Sequence, residues 1–411
     1  MELYIHIPFC IKKCEYCDFL SAQADDETMR QYTEALLREM RFYGKQMNRP
    51  ALTSVYIGGG TPTVLKQSYM ELLLKQLHIS FAVNRETEIT MECNPGTVTK
   101  EKLESYYKSG VNRLSIGLQS TFDYELQLLG RIHTYGDFLH TYEMARQVGF
   151  RNINVDLMSA LPYQTTEKYL TGLKRVAQLR PEHISAYSLI IEEGTPFYEK
   201  YAEDVRRRQQ GQTTRFLPSE ETEYEIGLET KRLLEEYGYE RYEISNYARP
   251  GYACRHNVGY WRREPYLGIG LGAASLLGQS DIRYTNITDL KEYIRRCENI
   301  VPLEKEVNLS IRRKQTISYT KLHQVAEYVK RPAQMEEFMF LGLRMVEGVT
   351  RRAFRDSFGV EIEAVYPEVL KSLMQQDLLY MREGQIKLTE RGMDLSNYVL
   401  AQFLLEEPAL T

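Results

Sequence analysis

The feature that most constrains this chain is a sixfold alternation of short β-rich runs with amphipathic stretches, extending to about residue 240. The strand candidates are Leu3–Ile7, Ser54–Ile57, Glu88–Glu92, Arg113–Leu118, Asn152–Leu157 and His183–Leu189. Each carries Val, Ile, Leu or Tyr and is followed by Gly, Pro, Asn or Ser punctuation. Helical patterns lie between them at Glu27–Tyr43, Gln67–Ile79, Lys100–Tyr107, Phe138–Val148 and Lys168–Gln178. The first sets Tyr32, Ala35, Leu36, Met40 and Tyr43 at helical spacing with charges between. Strands joined by connections this long run parallel. The pattern predicts an α/β fold, an open partial (β/α)6 barrel of TIM type, because the count stops near Leu189–Tyr237. A doubly wound sheet is the alternative with the same periodicity.

Three of the six cysteines, Cys10, Cys14 and Cys17, fall within eight residues directly after the first strand, whereas Cys93, Cys254 and Cys297 are scattered. The stretch Met1–Ile7 lacks the basic and apolar regions of a secretory signal, and no apolar run approaches the ~20 residues of a membrane helix. The expectation is a cytoplasmic protein with reduced thiols, so the cysteine cluster points to metal chemistry, not disulfides. Three thiolates in Cys-x3-Cys-x2-Cys can hold three irons of a [4Fe–4S] cube and leave the fourth open. That corner can be chelated by the amino and carboxylate groups of S-adenosylmethionine. Zinc is the alternative, but it takes four ligands, commonly as two pairs, and only His6 is at hand.

The polar residues at the other strand ends suit the same site, since barrel enzymes display their chemistry there. Gly58-Gly59-Gly60-Thr61 follows the second strand, and glycines let backbone groups approach a small zwitterion. Glu92 ends the third strand, Gln119 the fourth, and Asp156 falls on the fifth, as hydrogen-bond partners for a nucleoside.

The run Tyr4-Ile5-His6-Ile7-Pro8-Phe9-Cys10, continued by Cys14 and Cys17, resembles the radical S-adenosylmethionine proteins of porphyrin metabolism. This group holds the oxygen-independent coproporphyrinogen III oxidases and the HemW haem chaperones, and the resemblance extends over almost the whole chain. It implies a radical-SAM barrel, a cluster on Cys10, Cys14 and Cys17, and cofactor contacts from Tyr4, Gly58, Gly59, Gly60, Thr61, Glu92, Gln119, Arg131 and Asp156. Arg131 is expected to pair with the cofactor's carboxylate. The oxidases carry a further cysteine two residues after the third ligand, where this chain has Phe19. His256-Asn257-Val258-Gly259-Tyr260-Trp261 contains the only tryptophan and resembles the haem-associated His-Asn-x-x-Tyr-Trp motif of HemW. His256 is therefore the candidate haem ligand, with Arg255, Arg262 and Arg263 available to propionates. The resemblance implies a haem chaperone that delivers haem to acceptor proteins; the alternative is an oxygen-independent coproporphyrinogen oxidase or another tetrapyrrole-modifying radical enzyme.

Residues 1–240 read as the radical S-adenosylmethionine core and 241–300 as a Gly-, Tyr- and Arg-rich connecting region. Residues 301–411 read as a smaller, mainly helical C-terminal domain, winged-helix-like because Leu378–Arg382 and Gln385–Leu388 flank Glu383-Gly384 as a hairpin. Glu336–Arg344 resembles the HemW tail, and its Met339, Phe340 and Leu343 read as core. A net charge of −4 gives no reason to expect nucleic acid, and Arg206–Arg208 reads as a solvated helix end or loop. No heptad seam specifies an oligomer.

Overall fold

Six parallel strands stand side by side in chain order at the centre of the computed structural model, which describes residues 1–277, 281–310 and 313–405. They are β1 (Glu2–Ile7), β2 (Ser54–Gly59), β3 (Glu88–Cys93), β4 (Arg113–Gln119), β5 (Ile153–Ser159) and β6 (His183–Ser188). The crossovers are α1 (Asp26–Gln46), α2 (Gln67–Ser80), α3 (Lys100–Lys108), α4 (Asp123–Leu128), α5 (Tyr135–Val148) and α6 (Thr166–Gln178). Helices start where the sequence supplies a cap: the side chains of Asp25, Thr99, Thr134 and Thr165 each accept from the backbone amide three residues on. The result is the partial (β/α)6 barrel, and the consecutive strand order sets the doubly wound alternative aside.

Alternation along the strands separates two faces. Leu3, Ile5 and Ile7 of β1, Val55 and Ile57 of β2, and Leu114 and Ile116 of β4 join Leu36, Met40, Leu73 and Leu77 of the helices in one apolar core. The intervening residues face the concave side and bond to one another. Ser54 donates to Glu2 at 3.0 Å, Tyr56 to Glu92 at 3.0 Å, Ser115 to Asp156 at 3.2 Å, and His183 Nδ1 meets Asn154 Oδ1 at 2.6 Å. Parallel strands are ordinarily apolar on both faces. Here the outer face supplies the hydrophobic stabilisation, so the inner face is free to be polar.

Beyond β6 come α7 (Pro196–Gln209) and α8 (Glu220–Glu236). Arg206–Arg208 does close a helix, where Arg206 pairs with Glu203 and Arg208 with Glu223. The chain then returns to the sheet as β7 (Glu240–Arg241) and β8 (Asn246–Ala248), which extend it antiparallel beyond β6. Next, α9 (Arg255–Trp261) enters the barrel at the N-terminal ends of the strands. The Glu88 carboxylate accepts from the amides of Arg255 and His256, capping a helix whose own N-cap, Cys254, makes no side-chain cap bond. On the other edge β9 (Tyr266–Ile269) pairs parallel with β1, followed by β10 (Ala274–Leu277) and β11 (Ile282–Asn286), antiparallel.

After α10 (Leu290–Arg296), the expectation of a mainly helical chain from Val301 is corrected. Residues 302–328 form β12 (Pro302–Ser310), β13 (Arg313–Thr320) and β14 (His323–Tyr328), with β12 and β13 a hairpin and β14 completing the sheet edge against β11. The period-2 alternation of Val, Ile, Thr and Tyr there is a strand signal that outweighs its charged residues. Helix α11 (Arg331–Gly342) opens the tail, whose separate core gathers Met339, Leu343, Phe354, Leu370 and Ile386. The hairpin is present as Leu379–Arg382 and Gln385–Leu388, joined by a third short strand at Val349–Thr350. The tail grips the barrel through α9 and its neighbours: Arg344 lies 4.3 Å over the Trp261 ring, and Arg263 pairs with Glu337 at 2.7 Å.

Close packing of α9 on the barrel floor yields a stability test. A Cβ on Gly259 meets the Glu2 carboxylate at 2.1 Å, whereas one on Gly227 in α8 meets nothing within 4 Å. Gly259→Ala is expected to lower stability by roughly 1–3 kcal/mol through overpacking. Gly227→Ala is expected to raise it by up to about 1 kcal/mol through helix propensity. Urea midpoints of the two variants check both signs.

Candidate functional site

The loop after β1 carries the three cysteines and is tied down at both ends. Cys10 N donates to Ala22 O at 3.0 Å, and Ala22 N to Pro8 O at 2.9 Å, so the loop closes on itself. Its middle is held by Glu15, whose amide donates to Leu129 O and whose carbonyl accepts from Phe197 N. Gly130, at φ +73°, leaves room for Glu15, whose Cγ would lie 2.9 Å from a Cβ there. His6 Nε2 contacts Leu20 O at 2.9 Å and its Nδ1 meets the Tyr4 hydroxyl at 2.9 Å. Both imidazole nitrogens are thus engaged, which removes His6 as a fourth zinc donor. Among the described residues no three His, Cys, Asp or Glu side chains converge on a single ion position.

The cysteines instead open onto a cavity of about 500 Å³ at the C-terminal ends of the strands. A hydrogen-bonded circuit joins two of them. Cys10 Sγ lies 3.6 Å from Thr61 Oγ1, which accepts from Asn94 Nδ2 at 2.8 Å. Asn94 Oδ1 accepts from Arg131 Nη2 at 3.0 Å, and Arg131 Nη1 donates to Cys14 Sγ at 3.7 Å. All three cysteines are free and half-buried, and burial pushes the Cys17 thiol upward. The guanidinium beside Cys14 offsets the charge of a thiolate there.

Ten of the expected residues line this cavity: Cys10, Cys14, Cys17, Gly59, Gly60, Thr61, Glu92, Gln119, Arg131 and Asp156. The glycines are also demanded by packing, since a Cβ on Gly60 falls 2.7 Å from Phe9 O and one on Gly59, at φ +112°, strikes the His6 ring. Gly58 stands behind the wall, where a Cβ would displace Glu92. Glu92 accepts from the Tyr56 hydroxyl and from Gly59 N, each at 3.0 Å. Withdrawal from bulk water, then the neighbouring Asp156, raises its carboxyl to about 7; Asp156 is raised too, chiefly by burial. Gln119 adopts φ 73° at a bulge in β4 and accepts from the Tyr187 hydroxyl at 2.8 Å.

Three of the expected residues are engaged with other parts of the protein. Arg131 donates to Cys14, Asn94 and the Gly117 carbonyl through Nη1 and Nη2, while its Nε is buried and unpartnered. Tyr4 lies inside the barrel, its hydroxyl on His6, and does not reach the cavity. His256 is at the opposite end, 2 % exposed, stacked on Tyr56 at 5.2 Å and edge-on to Tyr260. Ser54 Oγ, which donates its one proton to Glu2, lies 2.9 Å from His256 Nδ1. His256 Nε2 is buried without a partner. The 3.9 Å approach to Glu2 is no ion pair at neutral pH. Burial lowers His256 to about 3 and raises Glu2 to about 8, so both are neutral.

Sequence reasoning passed over Asn94 and Tyr187. Asn94 lies two residues after Glu92, just past the end of β3, but its role depends on Thr61 and Arg131 arriving beside it. Tyr187 carries the legible signal: it continues the inward phase of His183 and Ser185 along β6.

With this geometry the chain can be placed among known proteins. The family model for the radical SAM superfamily matches residues 4–176, and that for the HemN C-terminal domain matches residues 329–395. The haem chaperone HemW of Bacillus subtilis is 34 % identical over 404 residues, covering 98 % of this chain and 99 % of the relative. HemW of Lactococcus lactis is 33 % identical, covering 98 % and 97 %. The chain belongs to the HemW family. HemW of Escherichia coli, at 32 % identity, covers 99 % of this chain and 98 % of its own length. Coproporphyrinogen III oxidase HemN of Escherichia coli shares the fold at a TM-score of 0.79 and 24 % identity, covering 98 % of this chain and 89 % of its own. HemW-family and radical-SAM membership bring a [4Fe–4S] cluster and S-adenosylmethionine. The donor set fits them: three free thiols beside a glycine-walled cavity that also presents Glu92, Asn94, Gln119 and Asp156.

The Glu92–Asp156 pair gives the site a pH signature. A carboxyl raised in the folded state binds its proton more tightly there than in the unfolded chain, so its contribution to stability falls as pH rises from about 4.5 to about 7. Removing the charge with Glu92→Gln is expected to raise the stability of cofactor-free protein at pH 8 by at most about 3 kcal/mol, at ~1.4 kcal/mol per unit. The same variant is expected to leave stability at pH 4 nearly unchanged. Urea unfolding at both pH values checks the difference.

Proposed function

We propose that this chain acts as a haem chaperone in the cytoplasm, holding a cluster and S-adenosylmethionine in the barrel and passing haem to acceptor proteins. The observation that carries the cluster assignment is the circuit Cys10–Thr61–Asn94–Arg131–Cys14, which fixes two thiols at the mouth of a cavity suited to a zwitterionic nucleoside. Cys10, Cys14 and Cys17 would hold the cluster. When bound, it supplies one-electron chemistry and an open iron corner. Gly59, Gly60 and Thr61 would cradle the methionyl part, while Glu92, Gln119 and Asp156 would take the hydroxyl and amino groups of the nucleoside. Arg131 serves chiefly to position Cys14, with Nε its remaining donor.

Haem carriage follows from membership of the HemW family, and His256 is the proposed iron ligand. Its Nδ1 lies 2.9 Å from Ser54 Oγ and its Nε2 has no partner, which leaves Nε2 as the nitrogen for a metal. That nitrogen is sealed in the barrel floor, so ligation requires α9 to withdraw. The division proposed is functional: residues 1–240 bear the cluster, 241–300 close the floor and carry His256, and 301–411 hold α9 in place. Among the described residues no helix is long and apolar enough to cross a membrane, and the cytoplasm is the compartment that keeps such thiols reduced. Phe19 beside the third ligand argues for carriage over the oxidase reaction.

Two measurements test this reading. Anaerobic reconstitution is expected to give cluster absorbance and iron that vanish in the Cys10/Cys14/Cys17→Ala triple variant; undiminished iron defeats the assignment. Haemin titration is expected to give a Soret shift that His256→Ala weakens, while coproporphyrinogen III with reductant and cofactor yields no protoporphyrinogen. Turnover in that assay would make the protein an oxidase.

A further inference from the structure

The circuit that ties down Cys10 and Cys14 does not include the third ligand. Cys17 closes a tight turn with Cys14, its amide donating to Cys14 O at 3.3 Å, and Glu15 and Tyr16 lie between them. Both meet α7, which lies beyond the last parallel strand and is not one of the crossovers that build the barrel. Pro196 has no amide proton, and Thr195 caps the helix by accepting from Tyr198 N at 3.2 Å. The Phe197 amide, a first-turn donor without an intrahelical acceptor, goes to Glu15 O at 2.9 Å. The Phe197 side chain is buried and meets the Tyr16 ring at 6.4 Å between centroids. It belongs to a small core of its own, with Leu129, Leu161, Tyr201 and Leu217, apart from the main core of the barrel. One face of α7 supplies Phe197, Tyr201 and Asp204, all buried at helical spacing. The Asp204 carboxylate accepts from the amides of Arg215, Phe216 and Leu217 at 2.9, 2.6 and 2.9 Å. Those bonds fold the chain back after α7 and carry Leu217 into the same core.

We infer that α7 is a clamp on the ligand loop and that Phe197 is the positioning residue for Cys17. The inference rests on the cluster assignment and adds how the third ligand is set. Phe197 does not line the cavity, so it acts through its neighbours, with its amide on Glu15 and its ring on Tyr16. A ligand sulfur serves a cluster only if it is held within about 0.5 Å of where the iron binds. Two anchors answer that need. The circuit at the ends of β2 and β3 fixes Cys10 and Cys14, and α7 fixes the turn that presents Cys17. A phenylalanine that served only the stability of the barrel would pack among its strands and crossover helices, as Phe138 and Phe150 do. Removing the Phe197 ring leaves those crossovers untouched and frees one side of a four-residue turn.

The test uses the full-length protein, first free of cluster and then reconstituted anaerobically. In the cluster-free protein, alkylation by iodoacetamide is followed at each cysteine by mass spectrometry. Phe197→Ala is expected to speed labelling of Cys17 relative to Cys10 about fivefold, and Phe197→Leu, which leaves a smaller cavity, about twofold. In the reconstituted protein, Phe197→Ala is expected to lose iron to a chelator about tenfold faster and to shift the EPR g-values of the reduced cluster. Phe150→Ala, in the main core just before β5, is the control for general loss of stability. It is expected to lower the urea midpoint while Cys17 labelling and iron loss stay as in wild type. Wild-type labelling and iron loss in Phe197→Ala overturn the inference. So does an equal rise at Cys10, Cys14 and Cys17, or the same Cys17 rise in Phe150→Ala, since either makes Phe197 a matter of overall stability. If Phe197→Ala does not fold, Phe197→Leu decides by the same labelling ratio, and a wild-type ratio overturns the inference. Failure of the wild type to take up iron defeats the cluster assignment itself, a separate result on which the labelling ratio does not depend.

Discussion

The site depends on one circuit of weak bonds, Cys10–Thr61–Asn94–Arg131–Cys14, drawn from the loops after β1, β2 and β3 and the connection after α4. Thiolates brought together repel, and a flexible loop leaves them free to separate. The circuit opposes both tendencies. Thr61 and Asn94 fix the loop against β2 and β3, while the Arg131 guanidinium places a positive charge beside Cys14. Burying that guanidinium is costly unless its protons are used, and Nη1 and Nη2 make three contacts, to Cys14, Asn94 and the Gly117 carbonyl, while Nε has none. Its role is thus to hold the ligand loop in register before any cofactor arrives, a form of preorganisation.

A polar barrel interior is sustainable because the opposite face of the same strands is not polar. Leu3, Ile5, Ile7, Val55, Ile57, Leu114 and Ile116 pack on the helices, so burial of the outer face stabilises the sheet while the inner face answers to chemistry. The cost is visible at the floor. Glu2 Oε2, His256 Nε2, Arg113 Nε and Trp261 Nε1 are buried without partners, and orphaned polar atoms of this kind each cost roughly 1–3 kcal/mol. Helix α9, only seven residues long and capped by a borrowed carboxylate, sits on that strained contact. Its other end is clasped by the tail through Trp261, Arg262 and Arg263. The floor is held both by the close packing of α9 on the strands and by the tail.

What was legible in the sequence was local. Strand phase, helix spacing, the cysteine loop and the strand-end polar residues are each set within a few positions, and they place ten of the cavity's expected residues. What was hidden depends on long-range meetings. Arg131 reads as a partner for the cofactor's carboxylate, and only the fold brings Asn94 and Cys14 beside it; His256 reads as a candidate haem ligand, and only the fold brings it beside Ser54, 202 residues away in sequence. The strands at 302–328 were missed for a different reason: charged residues interrupt the alternation, and a hairpin on the periphery needs little apolar content.

The two ends of the barrel impose a separation in space. Strand β1 runs six residues from Glu2, beside His256, to Ile7, beside the cysteine loop. At ~3.3 Å per residue the ends are on the order of 20 Å apart. Tyr4, Tyr56 and Glu92 fill the space between. An iron held by His256 in the floor would lie at the other end of the barrel from the cluster cysteines, so the two groups would not meet in this conformation. Access to His256 Nε2 would require movement of α9, and the tail that clasps α9 bears on that movement.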